Sequence, residues 1–587
     1  MHYTDICKGK FIDRPNRFVA HVEIEGNTKT VHVKNTGRCA ELLQPGATVY
    51  LQDSKNTERK TRYDLIAVEK GKRMINMDSQ VPNRIVKEWL EKGNLVEDPL
   101  NIRPEYTYGN SRFDLYVETK NRKIFIEVKG VTLEEEGVVR FPDAPSERAV
   151  KHVRELAEAV KEGYEAYVFF VIQMKGVRYF TPNIETHPEF GKALREAQDA
   201  GVKVVAYDCR VGCDSISIDR EVPVVLGDPV FYEIGDPLVS WYLDHKRDLP
   251  WRENVTPYRV WVSEIMLQQT RVEAVKPYYD RFLRELPTVK DLAEAPEDKL
   301  LKLWEGLGYY NRVRNMQKAA QQIMVDFHGE FPNTYEEICT LKGIGNYTAG
   351  AISSFAYGIP KPAVDGNVLR VITRLTADNS DIMKQSTRTH IEKELEKVIP
   401  ASAASDFNQG LIELGAVVCV PNGKPACEKC PLSFCCEAKK LEIQEMFPVK
   451  TKQKKRRIEE KTVLVFCDNE KIAINKREKR GLLAGLYELP NVSGHLDSDE
   501  VIKYSKEIGL LPVRVEQLSD AKHIFSHVEW HMKGYFVKVD ELEKTNRKGF
   551  LFIHPREIQK EYPIPSAFEN YMSWVQMKLV CDRIEGK

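Results

Sequence analysis

Residues Leu341 to Asn367, LKGIGNYTAGAISSFAYGIPKPAVDGN, hold two chemical ideas close together. Gly343-Ile344-Gly345 lies between two helix-like patterns and predicts a tight turn. Such a turn leaves backbone N–H groups free at a helix N-terminus, where a phosphate can dock. Further on comes Val364-Asp365-Gly366-Asn367, with a lone carboxylate opening the next helix. Taken alone, Asp365 reads as an N-cap, and the two glycines read as an ordinary helix–helix connection. The rest of the chain has to decide.

The length of 587 residues corresponds to roughly three or four domains. A composition of 42% hydrophobic and 30% charged residues is enough to build globular cores. The formal net charge is +0, so any nucleic acid must be met by local basic patches and not by a global field. The first residues, MHYTDICKGK, carry no apolar signal core. The longest apolar runs, such as Tyr167 to Ile172, are too short to span a bilayer. A cytoplasmic protein with no membrane partner is expected. In that compartment the twelve cysteines are free thiols or metal ligands, not disulfides. Cys419, Cys427, Cys430, Cys435 and Cys436 crowd one short segment.

Toward the N-terminus, Phe18 to Ile24 alternates apolar and polar, Glu25-Gly26-Asn27 turns the chain, and Val31 and Val33 resume the alternation. This is a hairpin pattern. With strands at Val49–Leu51 and Leu65–Val68, it predicts a small barrel over residues 1–80. Pro82 starts a helix with Ile85, Val86, Trp89 and Leu90 on one side. Strands near 112–118 and 123–130 follow, then a helix near 146–163 and a strand at Ala166–Ile172. A helix near 188–200 and a strand at Lys203–Tyr207 complete an α/β domain over 81–227. Within it, Glu127 and Lys129 point to one face of a strand that is paired with the strand of Asp114. These residues can hold Mg²⁺ and orient a water. On the residues alone an ordinary solvated strand face, which is what most E-x-K triplets are, is the better account.

The segments NTG (Asn35–Gly37), SRFD (Ser111–Asp114), IEVKGVTL (Ile126–Leu133) and FPDAPSERAVKHVREL (Phe141–Leu156) resemble the SfsA family, the sugar fermentation stimulation proteins. The resemblance covers about residues 1–227. It implies an OB-like nucleic-acid-binding barrel and a nuclease-like domain of the PD-(D/E)xK type, with Mg²⁺ as its ion. By the same resemblance Asp114, Glu127 and Lys129 match the motif and Glu105 is an extra acid. Binding of nucleic acid is the first expectation, and cleavage the second.

From about residue 236 the composition turns helical. YRVWVSEIMLQQT, Tyr258 to Thr270, surrounds one acid, Glu264, with apolar residues. A desolvated carboxylate has a raised pKa and can serve as a general acid near neutrality. The alternative is a helix-edge Glu paired with Arg259. WEGLGYY, Trp304 to Tyr310, is a second glycine-broken connection, whose aromatics either wedge into a base stack or fill a core. Cys419, Cys427, Cys430 and Cys436 read C-x7-C-x2-C-x5-C. Four thiolates can hold zinc or a [4Fe–4S] cluster. Zinc ribbons show two C-x2-C knuckles, and the single one here tilts the choice toward iron–sulfur.

LPWR (Leu249–Arg252), PYRVWVSEIMLQQTRV (Pro257–Val272), WEGLGYYNRVRN (Trp304–Asn315), LKGIGNYTAGAI (Leu341–Ile352), AVDGNVLRV (Ala363–Val371) and the cysteine cluster resemble the MutY family of adenine DNA glycosylases. The resemblance covers about 236–580. It implies a helix-hairpin-helix glycosylase with an iron–sulfur module over 236–440, acting on double-stranded DNA with adenine opposite 8-oxoguanine or guanine. Glu264 is then the acid that protonates adenine N7, and Asp365 stabilises the oxocarbenium-like sugar. Tyr347 and Asn367 line the site. Gln269, Thr270 and Tyr309 contact or wedge the DNA stack, while Gly343 and Gly345 hold backbone phosphate through a monovalent cation. Cys419, Cys427, Cys430 and Cys436 ligate the cluster, although the family spacing begins with x6, which leaves Cys435 as a rival fourth ligand.

Residues 441–460 read as a linker with a basic run, KTKQKKRR (Lys450–Arg457). Strand-like segments at Thr462–Phe466, Ile472–Asn475 and His531–Val539 make 461–587 an α/β unit. GLLAGLYELP (Gly481–Pro490) resembles the opening of a Nudix-like domain. IKYSKEIG (Ile502–Gly509) lacks the acidic pairs of a working Nudix helix, so no pyrophosphohydrolase activity is expected. Phe525, Ser526 and His527 match the family loop that recognises 8-oxoguanine.

The leading expectation is therefore a monomeric, monofunctional adenine glycosylase fused to an SfsA-like module. An endonuclease III-type enzyme with lyase activity is the alternative, but it needs a Schiff-base lysine where Tyr347 stands. A non-catalytic DNA scaffold is a third reading, against which both Glu264 and Asp365 count.

Overall fold

A computed structural model describes all residues except 36, 56–58, 110, 452–454, 541–548 and 586–587. It divides into two units, Met1–Tyr232 and Glu233–Lys587.

The first unit opens with a closed barrel. Strands β1 (Ile6–Asn16), β2 (Val19–Ile24), β3 (Asn27–Val33), β4 (Thr48–Asp53) and β5 (Tyr63–Lys70) run in the order β3-β2-β1-β4-β5, and β3 closes on β5. A short β6 (Arg73–Asn76) extends the β5 edge. Alternation puts Val22, Val31, Val33, Val49 and Leu51 inside. Strand β1 carries no readable alternation, because only its Gly9 and Phe11 are buried.

Behind the barrel, α1 (Val81–Leu90) leads into a six-stranded sheet. Strands β7 (Asn101–Tyr108), β8 (Ser111–Glu118) and β9 (Lys123–Val131) are antiparallel neighbours. The strand Glu165–Ile172 then runs parallel to both β9 and Lys203–Val211. Its side chains alternate between two cores, with Val168 and Phe170 facing one and Tyr167 and Phe169 the other. That explains its unbroken apolar sequence: a strand covered on both faces shows no period. Helices α2 (Glu147–Lys161) and α3 (Pro188–Asp199) bury Val150, Val153, Leu156, Phe190 and Leu194 in the first of these cores.

The second unit is helical from Gly235 to Lys440. The helix Pro257–Leu267 is capped by the Thr256 side chain, which accepts from Arg259 N–H. It ends at Leu267: Gln268 already leaves the helical region at ψ 112°, and Gln269 follows with φ +59°. The hairpin of Tyr335–Thr340 and Asn346–Tyr357 turns at Gly343, whose φ is +79°. Two other glycines permit close helix approach. A Cβ on Gly350 would lie 2.0 Å from the Pro362 carbonyl oxygen, and one on Gly415 would lie 2.6 Å from Asn367 Cβ. Both contacts bear on the segment that carries Asp365.

Beyond the helices, strands Tyr487–Glu488, Lys471–Lys476, Arg457–Asp468, Val528–Val539 and Pro512–Ile524 form a sheet in that order. The segment read as a linker thus ends early. Arg457 already belongs to a strand, because pairing with Val528–Val539 extends it. The sheet domain docks on the helical part: Arg314 donates to Ala484 O (2.6 Å), Lys302 to Tyr562 O (3.1 Å) and Ile564 N–H to Glu305 (2.8 Å). Among the described residues no helix is long and apolar enough to cross a membrane.

Candidate active sites

A cavity of about 740 Å³ in the second unit is lined by Glu264, Tyr347, Asp365 and Asn367, together with Gln269 and Thr270. Glu264 sits on the helix Pro257–Leu267 and is buried. Its carboxyl accepts a short hydrogen bond from the Tyr347 hydroxyl, not an ion pair from Arg259. Burial raises the Glu264 pKa to about 7, helped by the nearby Asp365 charge and opposed by the Tyr347 hydrogen bond. Burial and the Glu264 charge also push Tyr347 well above its ordinary value, so its proton stays on the hydroxyl.

Asp365 does cap the next helix, Gly366–Leu375. Its Oδ1 accepts from the N–H groups of Asn367 and Val368, both at 2.8 Å. Its Oδ2 accepts from Asn367 Nδ2 at 2.7 Å. Burial raises its pKa, and these donors oppose the rise. The cap and the cavity wall are one and the same residue. Arg370, which sequence alone did not single out, ties this corner to the cysteine segment. It donates to Asn367 Oδ1 (2.8 Å), Gly415 O (2.7 Å) and Cys419 O (2.7 Å). The buried Asn408 holds the incoming segment by bonding Ala363 N–H (2.9 Å) and Lys361 O (3.0 Å). One lysine, Lys246, lines the cavity, with its ammonium 5.6 Å from the Tyr242 ring centroid.

Gln269 and Tyr309 occupy two exposed turns, with φ of +59° and +49°. Tyr309 lies outside the cavity lining and is 47% exposed, so it is not a core residue. Arg312 staples the two turns. It donates to Ile265 O (2.7 Å) and Gln268 O (2.6 Å) on one side, and to Leu307 O (3.1 Å) and Gly308 O (3.2 Å) on the other. Burial lowers its pKa to about 10, which leaves it charged at neutrality. Gly343 and Gly345 lie in the hairpin turn; only Gly343 requires glycine, since a Cβ there would meet Asn315 at 2.7 Å.

Cys419, Cys427, Cys430 and Cys436 line one cavity with Arg374 and Gln444. Arg374 donates to Cys419 Sγ at 3.2 Å. Cys435 does not line this cavity and gives its S–H to Leu432 O at 3.4 Å. Burial pushes the Cys430 thiol up to about 12, so a thiolate there needs a cation to face. Among the described residues no three His, Cys, Asp or Glu side chains converge on one ion position. Four thiols lining one cavity have the donor chemistry for zinc or for an iron–sulfur cluster.

In the first unit, Asp114 on β8 and Glu127 and Lys129 on β9 come together. Lys129 Nζ lies 2.5 Å from Glu127 Oε1, as does His152 Nδ1 from α2. Asp114 accepts from Asn83 Nδ2 (2.9 Å) and Val128 N–H (2.8 Å). Burial raises the Asp114 pKa, and the Glu127 charge adds to it. Burial opposes ionisation of Glu127 too, but His152 and Lys129 outweigh it and hold the carboxyl low. Glu127 Oε2 is buried and has no hydrogen-bond partner among the described residues. Two carboxylates with one unsatisfied oxygen suit Mg²⁺, which keeps most of its waters. Glu105 is a correction to the sequence reading: with φ +52° on edge strand β7, its exposed carboxylate pairs with Arg112 at 3.5 Å and does not join this group. His152 carries a signal in the sequence, since it interrupts the buried face Ala149, Val153, Leu156 of α2.

Phe525, Ser526 and His527 form the tip between strands Pro512–Ile524 and Val528–Val539. Phe525 packs on Trp530 with ring centroids 4.9 Å apart, while Ser526 and His527 are exposed.

Comparison with known proteins gives four family matches. The SfsA N-terminal OB domain matches residues 12–77, and the sugar fermentation stimulation protein RE domain matches 80–215. The HhH-GPD superfamily base excision DNA repair protein matches 262–401, and the NUDIX domain matches 462–574. The sugar fermentation stimulation protein homolog of Clostridium beijerinckii is 63% identical over 226 residues, 38% of this chain and 100% of the relative. Among solved structures, Pyrococcus furiosus SfsA in complex with Ca²⁺ is 29% identical and covers 38% of this chain and 98% of its own, with a TM-score of 0.36. A thermostable thymine-DNA glycosylase is 28% identical and covers 36% of this chain and 98% of its own, with a TM-score of 0.33.

Proposed function

Since the chain belongs to the sugar fermentation stimulation protein family and carries a base excision DNA glycosylase domain behind that module, we propose that its second unit excises adenine paired with 8-oxoguanine or guanine, without cutting the backbone. The observation that carries this reading is a pair of carboxylates in one cavity, the buried Glu264 raised to about 7 and the half-buried Asp365. Adenine must leave the base stack to be reached. Glu264 gives its proton to adenine N7 and makes the base a leaving group. Asp365 accepts from Asn367 and two backbone donors, which favour its carboxylate against burial, and as the carboxylate it faces the cationic sugar. Tyr347 holds the Glu264 carboxyl in place and cannot form the Schiff base that backbone cleavage by β-elimination requires.

The four thiols hold a [4Fe–4S] cluster in this reading, which would order the 419–436 segment against DNA and take no part in hydrolysis. The Gly343–Gly345 turn takes backbone phosphate through a monovalent cation. Ser526, exposed at its hairpin tip, both donates and accepts hydrogen bonds and so matches the N7–H and O8 edge of 8-oxoguanine. In the first unit, Asp114 and Glu127 would hold Mg²⁺, which supplies Lewis acidity for phosphodiester hydrolysis, while Lys129 faces the developing charge.

The test is a duplex carrying adenine opposite 8-oxoguanine, with adenine release and strand scission assayed separately in EDTA. Release without scission is expected. Scission in EDTA before alkali would refute a monofunctional site and point to an amine such as Lys246.

A further inference from the structure

We infer that the first unit hydrolyses the DNA backbone at abasic sites, the product that the second unit leaves behind. The inference rests on the nuclease reading of Asp114, Glu127 and Lys129 and adds the substrate. Base removal without an amine nucleophile leaves a baseless sugar in an uncut strand. The reaction that consumes it is phosphodiester hydrolysis, and the same chain carries a second constellation with that chemistry.

Two features of the site select the substrate. Over His152 lies a groove of about 710 Å³ lined by Arg112, Arg148, Lys151 and Arg154, against Glu147 and Glu155. Arg112, Lys151 and Arg154 pair with Glu105, Glu155 and Glu189, and beside Arg148 these pairs can exchange onto backbone phosphates. The reactive groups, however, are recessed: Glu127 is 1% exposed and His152 5%. Of this group only His152 lines the groove, with Glu127 behind it, so a phosphate must be drawn in past His152, which costs a stacked duplex some of its stacking. That cost is least where the residue has no base to stack. The unpartnered Glu127 Oε2 is an independent sign that the site awaits a cation, because a buried carboxylate oxygen left without a partner is costly.

The step balances without any redox change. A water oxygen bonds to phosphorus, and the bond from phosphorus to one bridging oxygen breaks. That oxygen leaves as an alcohol after taking a proton, and the attacking water loses one to solvent. Lys129, 2.5 Å from Glu127, carries the positive charge that meets the pentacovalent phosphate.

The full chain is incubated with Mg²⁺ and end-labelled duplexes that carry a tetrahydrofuran abasic analogue, which cannot undergo β-elimination, or no lesion. Cutting of the abasic duplex is expected to be at least about tenfold faster, abolished by EDTA and lost in Lys129→Ala. In Ca²⁺, fluorescence anisotropy should show the wild-type chain binding the abasic duplex at least about tenfold tighter than the intact one. Equal cutting of the intact duplex, or faster cutting of undamaged single strands, would leave the nuclease reading standing and overturn the substrate assignment. No cutting of any DNA in Mg²⁺ would overturn both. Substrate preference in wild type decides the matter even if Lys129→Ala fails to fold.

Discussion

Two carboxylate pairs among the described residues each join a buried glutamate to a half-buried aspartate, and their neighbours give them opposite characters. Glu264 has a phenol for a partner and Asp365 for a neighbour, and burial keeps it protonated up to about pH 7. Glu127 has an ammonium and an imidazole as partners, and they hold it ionised in spite of burial. Both are glutamates in apolar walls. What differs is whether a cation reaches the carboxylate within hydrogen-bond distance. The first arrangement keeps a proton on the carboxyl near neutrality, and the second keeps a negative charge.

The most severe way to break the contrast is Glu264→Gln, which keeps the shape and removes the proton. Adenine release should fall roughly 10²–10⁴-fold in single-turnover assays. Retained release would remove Glu264 from its role. The same substitution should act on stability with the other sign. Ionising Glu264 in the fold costs about 3 kcal/mol more than in the unfolded chain. Its contribution is fully present below the ordinary carboxylate pKa and is lost as pH rises through about 7. Glu264→Gln should therefore unfold at higher denaturant than wild type at pH 8 and gain nothing at pH 4. An equal shift at both pH values would show that packing, not charge, is responsible.

These contrasts were partly legible in the sequence. The acid inside VWVSEIML announced its own desolvation, and Asp365 announced a cap, which it is. What spacing could not supply is the partner. Tyr347 lies far along the chain from Glu264, and His152 reaches Glu127 from a different element, so only the fold brings them together. The arginines that frame the glycosylase site, Arg312 and Arg370, were invisible for the same reason: their partners are backbone carbonyls of distant turns. Glu105 misled in the opposite way. It stands across the β7–β8 pair from Asp114, but its positive φ accompanies a carboxylate that pairs with Arg112 instead.

A smaller effect sharpens the second pair. If Glu127 Oε2 awaits a cation, Mg²⁺ should raise the unfolding free energy of the first unit by mass action, by about 1.4 kcal/mol at roughly tenfold excess over Kd, read as a higher unfolding midpoint. Glu127→Gln should abolish that Mg²⁺ response. A response unchanged in the variant would place the ion elsewhere.

The finest test concerns the phenol. The Tyr347 hydroxyl donates to Glu264, and a donor favours the ionised carboxylate, so the bond lowers the Glu264 pKa against the larger effect of burial. Tyr347→Phe removes the donor and leaves the ring. The alkaline limb of adenine release, set near pH 7 in wild type, should then move upward by about one pH unit or less, the size of a single hydrogen bond. The maximal rate should change less than the pH profile. A limb that moves downward would mean that the phenol protects the proton on Glu264, so that partner chemistry would distinguish the two carboxylate pairs less sharply than burial does.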